Sequence, residues 1–147
     1  MASISCGIDF GTSNTSVAIA HNGTINLVPV EQTHVTIPSA LFFQRVDNRP
    51  FYGRAAVRMF FDREDGRFMR SLKRVLGTSL MKQGTLVNGA SMNFSIIISS
   101  FLRHIKAKAD AEAGQEIEHV VMGRPVHFVD NDPDADVRAQ AELQAIA

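Results

Sequence analysis

The chain has 147 residues, 45% of them hydrophobic and 20% charged, with 15 Lys and Arg balanced by 15 Asp and Glu. This is the composition of one globular domain able to bury a sizeable core, and its zero net charge gives no case for nucleic acid or an anionic membrane as partner. A single cysteine, Cys6, excludes an intramolecular disulfide, and no apolar run approaches the ~20 residues that span a bilayer. Cys6 sits in an apolar run and reads as a small buried hydrophobe. The N-terminus lacks a basic segment followed by a long apolar stretch, so no signal peptide is read and a cytoplasmic protein is expected. The charge is unevenly spread: residues 45–74 carry nine Lys or Arg against four acids, between flanks in which acids outnumber bases. This basic island is either a solvated arginine-rich face or a surface that meets an anion.

In chain order, Ile4 to Phe10 alternates apolar residues as a strand does, and Ser16 to Ala20 reads as a second. Asn22-Gly23 is a type I′ hairpin signal, since both residues tolerate positive φ, and Thr24 to Val30 follows as a third strand. Pro38 to Phe43 reads as a strand with Pro at its start, and Val46 to Pro50 as a turn. Helical stretches are expected over Arg54 to Asp62 and over Phe68 to Leu76, the second closed by Gly77. Residues 78–90 are weakly patterned, with a short strand around Leu86. Met92 to Ala113 is the strongest helix, with Phe94, Ile97, Ile98, Phe101, Leu102, Ile105 and Ala109 on one face and Gly114 at its end. Glu118 to Met122 is rich in β-branched residues and is broken by Gly123-Arg124-Pro125. Asp132-Pro133 starts a last helix, with Asp as N-cap and Pro at the first position. That helix runs to Ala147 without a stop signal, from which a piece of a longer protein is expected.

The chemistry concentrates at "GIDFGTSN", residues 7–14. A strand that turns back through glycine exposes backbone N–H groups, and such a concavity binds anions. Gly11 lets an anion approach the backbone, while Thr12, Ser13 and Asn14 add side-chain donors. Asp9 brings a carboxylate next to this turn, which a phosphate would tolerate only with a cation between them; hydrated Mg²⁺ is the usual solution. The pattern alone reads equally as a Mg²⁺–nucleotide phosphate turn or as a polar hairpin capped by Asp9.

"GIDFGTSNTSVAI" resembles the first phosphate motif of the actin-like ATPase superfamily, which includes DnaK-like heat-shock chaperones, actin-like filament proteins and sugar kinases. Three further segments, "TIPSALFF" at 36–43, "SLKRVLG" at 71–77 and "HVVMGRPVHF" at 119–128, resemble in this order the N-terminal part of the chaperone ATPase domain. The "GRP" wording is similar to YegD-like members. The resemblance covers essentially the whole chain. It implies a ribonuclease-H-like α/β lobe: a mixed sheet with flanking helices (subdomain IA, 1–36 and 86–147) and a small inserted subdomain (IB, 37–85). It implies ATP/ADP and Mg²⁺ as ligands. Asp9 would hold Mg²⁺ through water, and Thr12, Ser13 and Asn14 would line the β- and γ-phosphates. Lys73 would reach from IB, across a gap, to the γ-phosphate and the attacking water, where a fixed cation suits phosphoryl transfer. Pro125 would fix the strand end that orients the water. The residues alone read Lys73 as a solvated helix lysine.

Two positions depart from the chaperone pattern. His127 stands where typical chaperones carry Tyr and reads as a surface or packing residue; Arg138 is the candidate for the arginine of the next helix, at a longer spacing. The family's second carboxylate, second phosphate loop, adenosine-binding segments and peptide-binding domain do not occur in these residues. The expected parent is a chaperone-like ATPase that hydrolyses ATP to ADP and phosphate, with unfolded polypeptides or co-chaperones as partners. The chain alone is expected to be inactive. An actin-like filament protein and a sugar kinase are the alternatives, and Lys73 in its segment argues against both.

Overall fold

The computed structural model describes residues 3–123 and 131–147. The chain opens as the expected meander, with β1 (Ser5–Phe10), β2 (Asn14–His21) and β3 (Thr24–Leu27) antiparallel in sequence. Asn22 and Gly23 hold φ of 51° and 74°, the conformations a type I′ turn demands. β4 (Thr36–Pro38) returns to pair with the first residues of β2. β10 (His119–Met122) lies parallel to β1, so among the described residues the main sheet runs β10-β1-β2-β3, with β4 also on β2.

Alternation along β1 sends Cys6, Ile8 and Phe10 into the core and leaves Asp9 exposed. The cover on that core is α3 (Phe94–Ala113). Its seven predicted stripe residues, Phe94, Ile97, Ile98, Phe101, Leu102, Ile105 and Ala109, are its buried residues, and the Phe10 and Phe101 ring centroids lie 5.9 Å apart. Burying a large apolar side chain stabilises by roughly 1.5–3 kcal/mol, so this one face anchors the helix. Gly114 ends it in the left-handed conformation, φ 70°. α4 (Pro133–Ile146) packs beside α3 and is capped as the sequence predicts: the Asp132 carboxylate accepts from the Ala135 N–H at 2.9 Å, with Pro133 following it.

A second, antiparallel sheet is inserted between β4 and α3. Its order is β6-β5-β7, from β5 (Ala40–Gln44), β6 (Pro50–Tyr52) and β7 (Gly66–Arg70). α1 (Gly53–Phe61) covers one of its faces, burying Ala40, Phe42 and Ala56 with Phe51, Val57 and Phe68 packed against them. A four-residue 3-10 turn (Leu72–Val75), the short α2 (Leu80–Gln83) and the hairpin β8 (Thr85–Val87)–β9 (Ala90–Met92) lead into α3.

The expected helix over Phe68 to Leu76 is a correction. Residues 66–70 are a strand and 72–75 a 3-10 turn, separated by Ser71 in the left-handed conformation, φ 56°. Phe68 packs towards α1 and Met69 into the main core, on opposite faces of the strand. A short apolar run flanked by two cores mimics a helical pattern, and its pairing with β5 decides the outcome. Gly77 accordingly caps no helix here. Met92, taken as the first helical residue, belongs to β9, and Asn93 takes the N-cap position.

Candidate functional site

The end of β1 delivers Asp9 to the surface because its neighbours Ile8 and Phe10 are pulled inward by the core. The chain then reverses at once. The Gly11 N–H donates to the Asn14 carbonyl at 3.0 Å, closing the turn, and β2 begins at Asn14. Gly11 is required for closeness rather than for an unusual φ: a Cβ there would lie 2.2 Å from the Asn14 carbonyl oxygen. Thr12 is half-buried, and Ser13 and Asn14 are exposed. The predicted turn residues thus form one continuous edge at the tip of the β1–β2 hairpin.

Lys73 comes to the same tip. Buried Leu72 and Leu76 anchor the segment around it, which projects the lysine back over the sheet. Its Nζ donates to the Phe10 carbonyl at 2.7 Å. Burial lowers the pKa of this ammonium, and the Asp9 carboxylate acts in the opposite direction. Lys73 therefore reaches the sheet directly, where the sequence reading expected a gap, and it is carried by a 3-10 turn, not a helix. Asp9, the Gly11–Asn14 turn and Lys73, three parts of the sequence reading, lie together. Pro125 and His127 fall outside the described residues.

Two contacts fix the segment that follows Lys73. The Gly77 N–H donates to the Glu142 carboxylate, and the Gly77 carbonyl accepts from Arg138 Nε and a terminal guanidinium nitrogen at 3.4 and 3.3 Å. Arg138 and Glu142 are four residues apart on α4, so they share one face and grip a single residue from both sides. Gly77 has φ 76°, and a Cβ there would lie 2.4 Å from the Ala135 carbonyl oxygen. This is the role the structure gives Arg138: it fastens the lysine segment and lies away from the Gly11 turn in sequence and in bonding.

Sequence reasoning missed Ser39, which is 2% exposed between β4 and β5. Its N–H donates to the Ser13 carbonyl at 2.9 Å, its Oγ donates to the Gly11 carbonyl at 2.8 Å, and the Thr15 hydroxyl lies 2.8 Å from that Oγ. The only sequence signal was its place inside "TIPSALFF". A cavity of about 230 Å³ opens beside it, lined by Thr12, Ser13, Phe60, Phe68 and Arg70 among others. A larger one, about 960 Å³, lies between Tyr52, α3 and the end of α4, and carries none of the predicted site residues.

The donor set fits a hydrated magnesium ion with phosphate. It comprises one exposed carboxylate, two hydroxyls, a side-chain amide and an ammonium at one end of the sheet.

The family described as Hsp70 protein matches residues 5–141 of this chain. The chaperone protein DnaK of Metamycoplasma hominis is 30% identical over 122 residues, which cover 83% of this chain and 19% of that protein. The chain thus spans about a fifth of the length of that relative.

Proposed function

This chain belongs to the Hsp70 protein family, and on that footing we propose that it forms the first lobe of a chaperone ATPase, supplying one wall of a Mg-ATP site. The observation that carries the reading is the hydrogen bond from Lys73 Nζ to the carbonyl of Phe10, the residue between Asp9 and Gly11 in the chain. Asp9 would hold Mg²⁺ through water. Thr12, Ser13, Asn14 and the turn backbone would hold the β- and γ-phosphates, and Pro125 would fix the strand end that orients the water. An ammonium has three donors, so Lys73 keeps its tie to Phe10 while a second N–H meets a phosphate oxygen. Mg²⁺, when bound, offsets phosphate charge, and Lys73 adds a preorganised cation for the charge that spreads over the transferring group. Coupling hydrolysis to polypeptide clients and co-chaperones would belong to the longer protein. The "GRP" segment supports a place near YegD-like members.

We assign the inserted β6-β5-β7 sheet with α1, and the Lys73 segment after it, to the smaller subdomain, and the main sheet with α3 and α4 to the larger. The basic island then has a use, since Lys73 within it bonds the Phe10 carbonyl, one residue before the turn.

Titrating the chain with Mg-ATP, followed by amide NMR, tests the reading. Weak binding with shifts centred on residues 9–14, 72–74 and the neighbourhood of Pro125 is expected. Shifts that avoid all of these, or none up to about 1 mM Mg-ATP, would sink it.

A further inference from the structure

We propose that Ser39 is the positioning residue of the phosphate turn, aiming the Thr12 N–H outward by holding the Gly11 carbonyl inward; the link to phosphate rests on the function proposed above. A carbonyl cannot donate, so the 2.8 Å contact between Ser39 Oγ and the Gly11 carbonyl uses the single proton of the Ser39 hydroxyl. The 2.8 Å contact between Ser39 Oγ and Thr15 Oγ1 must then have Thr15 as its donor. The chain of donation runs Thr15 to Ser39 to Gly11, through two hydroxyls that are 1% and 2% exposed.

The consequence follows from peptide planarity. In a trans peptide the C=O and the following N–H point in opposite directions, and among the described residues there is no cis bond. Fixing the Gly11 carbonyl towards buried Ser39 therefore turns the Thr12 N–H away from the interior. The Ser39 N–H holds the Ser13 carbonyl in the same way at 2.9 Å. One residue grips the turn at two of its carbonyls. Because Ser39 sits between β4 and β5, it also links the turn to the inserted sheet. Thr15 is different. It supports Ser39, but its hydroxyl touches neither carbonyl, so losing it leaves the Ser39-to-Gly11 bond in place.

This difference makes the inference testable in the 147-residue chain. Amide spectra would be recorded for wild type, Ser39→Ala, Ser39→Thr and Thr15→Val, with Mg-ATP as the probe ligand and spectral dispersion as the check on folding. Ser39→Ala is expected to shift the Thr12 amide and to weaken the Mg-ATP response at Thr12 by up to about tenfold, the worth of one hydrogen bond. Ser39→Thr should restore both, since its hydroxyl is kept and a cavity opens beside it. Thr15→Val should leave the Thr12 amide near wild type. An unchanged Thr12 amide in Ser39→Ala would overturn the proposal, as would a Thr15→Val spectrum that matches Ser39→Ala. If wild type shows no response to Mg-ATP while Ser39→Ala still shifts the Thr12 amide, the positioning role stands and the nucleotide reading falls.

Discussion

The Lys73 ammonium donates a 2.7 Å hydrogen bond to the carbonyl of Phe10, 63 residues earlier in the chain. Phe10 is fully buried between exposed Asp9 and the tight turn at Gly11, so its backbone is among the best-fixed points on the hairpin tip. A flexible lysine tied there becomes a positioned charge. On the function proposed above, Lys73→Ala in a longer chain that carries both lobes is expected to leave ATP affinity nearly intact and to slow single-turnover hydrolysis by roughly 10²-fold or more, as for loss of one preorganised donor. Lys73→Arg should not rescue it, because the planar guanidinium cannot occupy the point-like position of the ammonium. Equal single-turnover rates in wild type and Lys73→Ala would return the lysine to a structural role.

Gly11→Ala is expected to destabilise the chain by roughly 1–3 kcal/mol, as overpacking does. The added Cβ would meet the Asn14 carbonyl oxygen at 2.2 Å, and backbone cannot swing aside as a side chain does. Urea unfolding followed by circular dichroism measures it, and the amides of residues 11–14 should shift most.

Gly77→Ala carries two costs at once. The left-handed φ of 76° costs an L-residue about 1–2 kcal/mol, and the Cβ would collide with the Ala135 carbonyl oxygen. The expected readout is a lower urea midpoint together with exchange broadening at Lys73, since the α4 grip on Gly77 is what holds that segment. Arg138→Ala should give a milder version of the same change. Arg138→Ala without any effect at residues 72–77 would show that Glu142 alone suffices.

His104 stacks on Tyr52 with ring centroids 4.1 Å apart. Burial and, secondarily, the Lys108 charge hold its pKa below the ordinary 6.5, while Glu31 acts in the opposite direction. The fold therefore favours the neutral ring. The stability this contributes is present above the ordinary His value and is lost as pH falls towards the lower folded value. Thermal midpoints should drop between neutral and mildly acidic pH, and His104→Gln should flatten that slope. An NMR titration placing His104 at or above the ordinary value would reverse the sign and refute the prediction.

Cys6 is 1% exposed on the inward face of β1. Burial first, and the Asp110 carboxylate after it, push its thiol pKa up against the opposing Lys106 charge. The thiolate is the reactive form, so the native chain should resist a disulfide reagent at mildly alkaline pH and react at once in denaturant. Rapid reaction of the native chain would mean that β1 opens far more easily than a central strand should.

Features that rest on local periodicity and local hydrogen bonding can be read directly from the residues. The seven-residue stripe of α3 was legible because a single face repeats over 20 residues. Asn22-Gly23 and Asp132-Pro133 were legible because a positive φ and a capped first turn each need particular residues within a few positions. The Asp9–Asn14 turn was legible as a pattern that read equally as a phosphate turn or a capped polar hairpin, and resemblance made the choice between them. Tertiary structure alone decided the rest. Residues 66–70 became a strand because β5 needed a partner and two cores took opposite faces of it, which a short apolar run cannot announce. Ser39 meets Gly11 across 28 residues, Lys73 meets Phe10 across 63, and Gly77 meets Glu142 across 65. Contacts of that span are set by where the sheets and α4 pack against one another, and a hydrogen bond between such distant residues leaves no spacing in the chain from which it could be read.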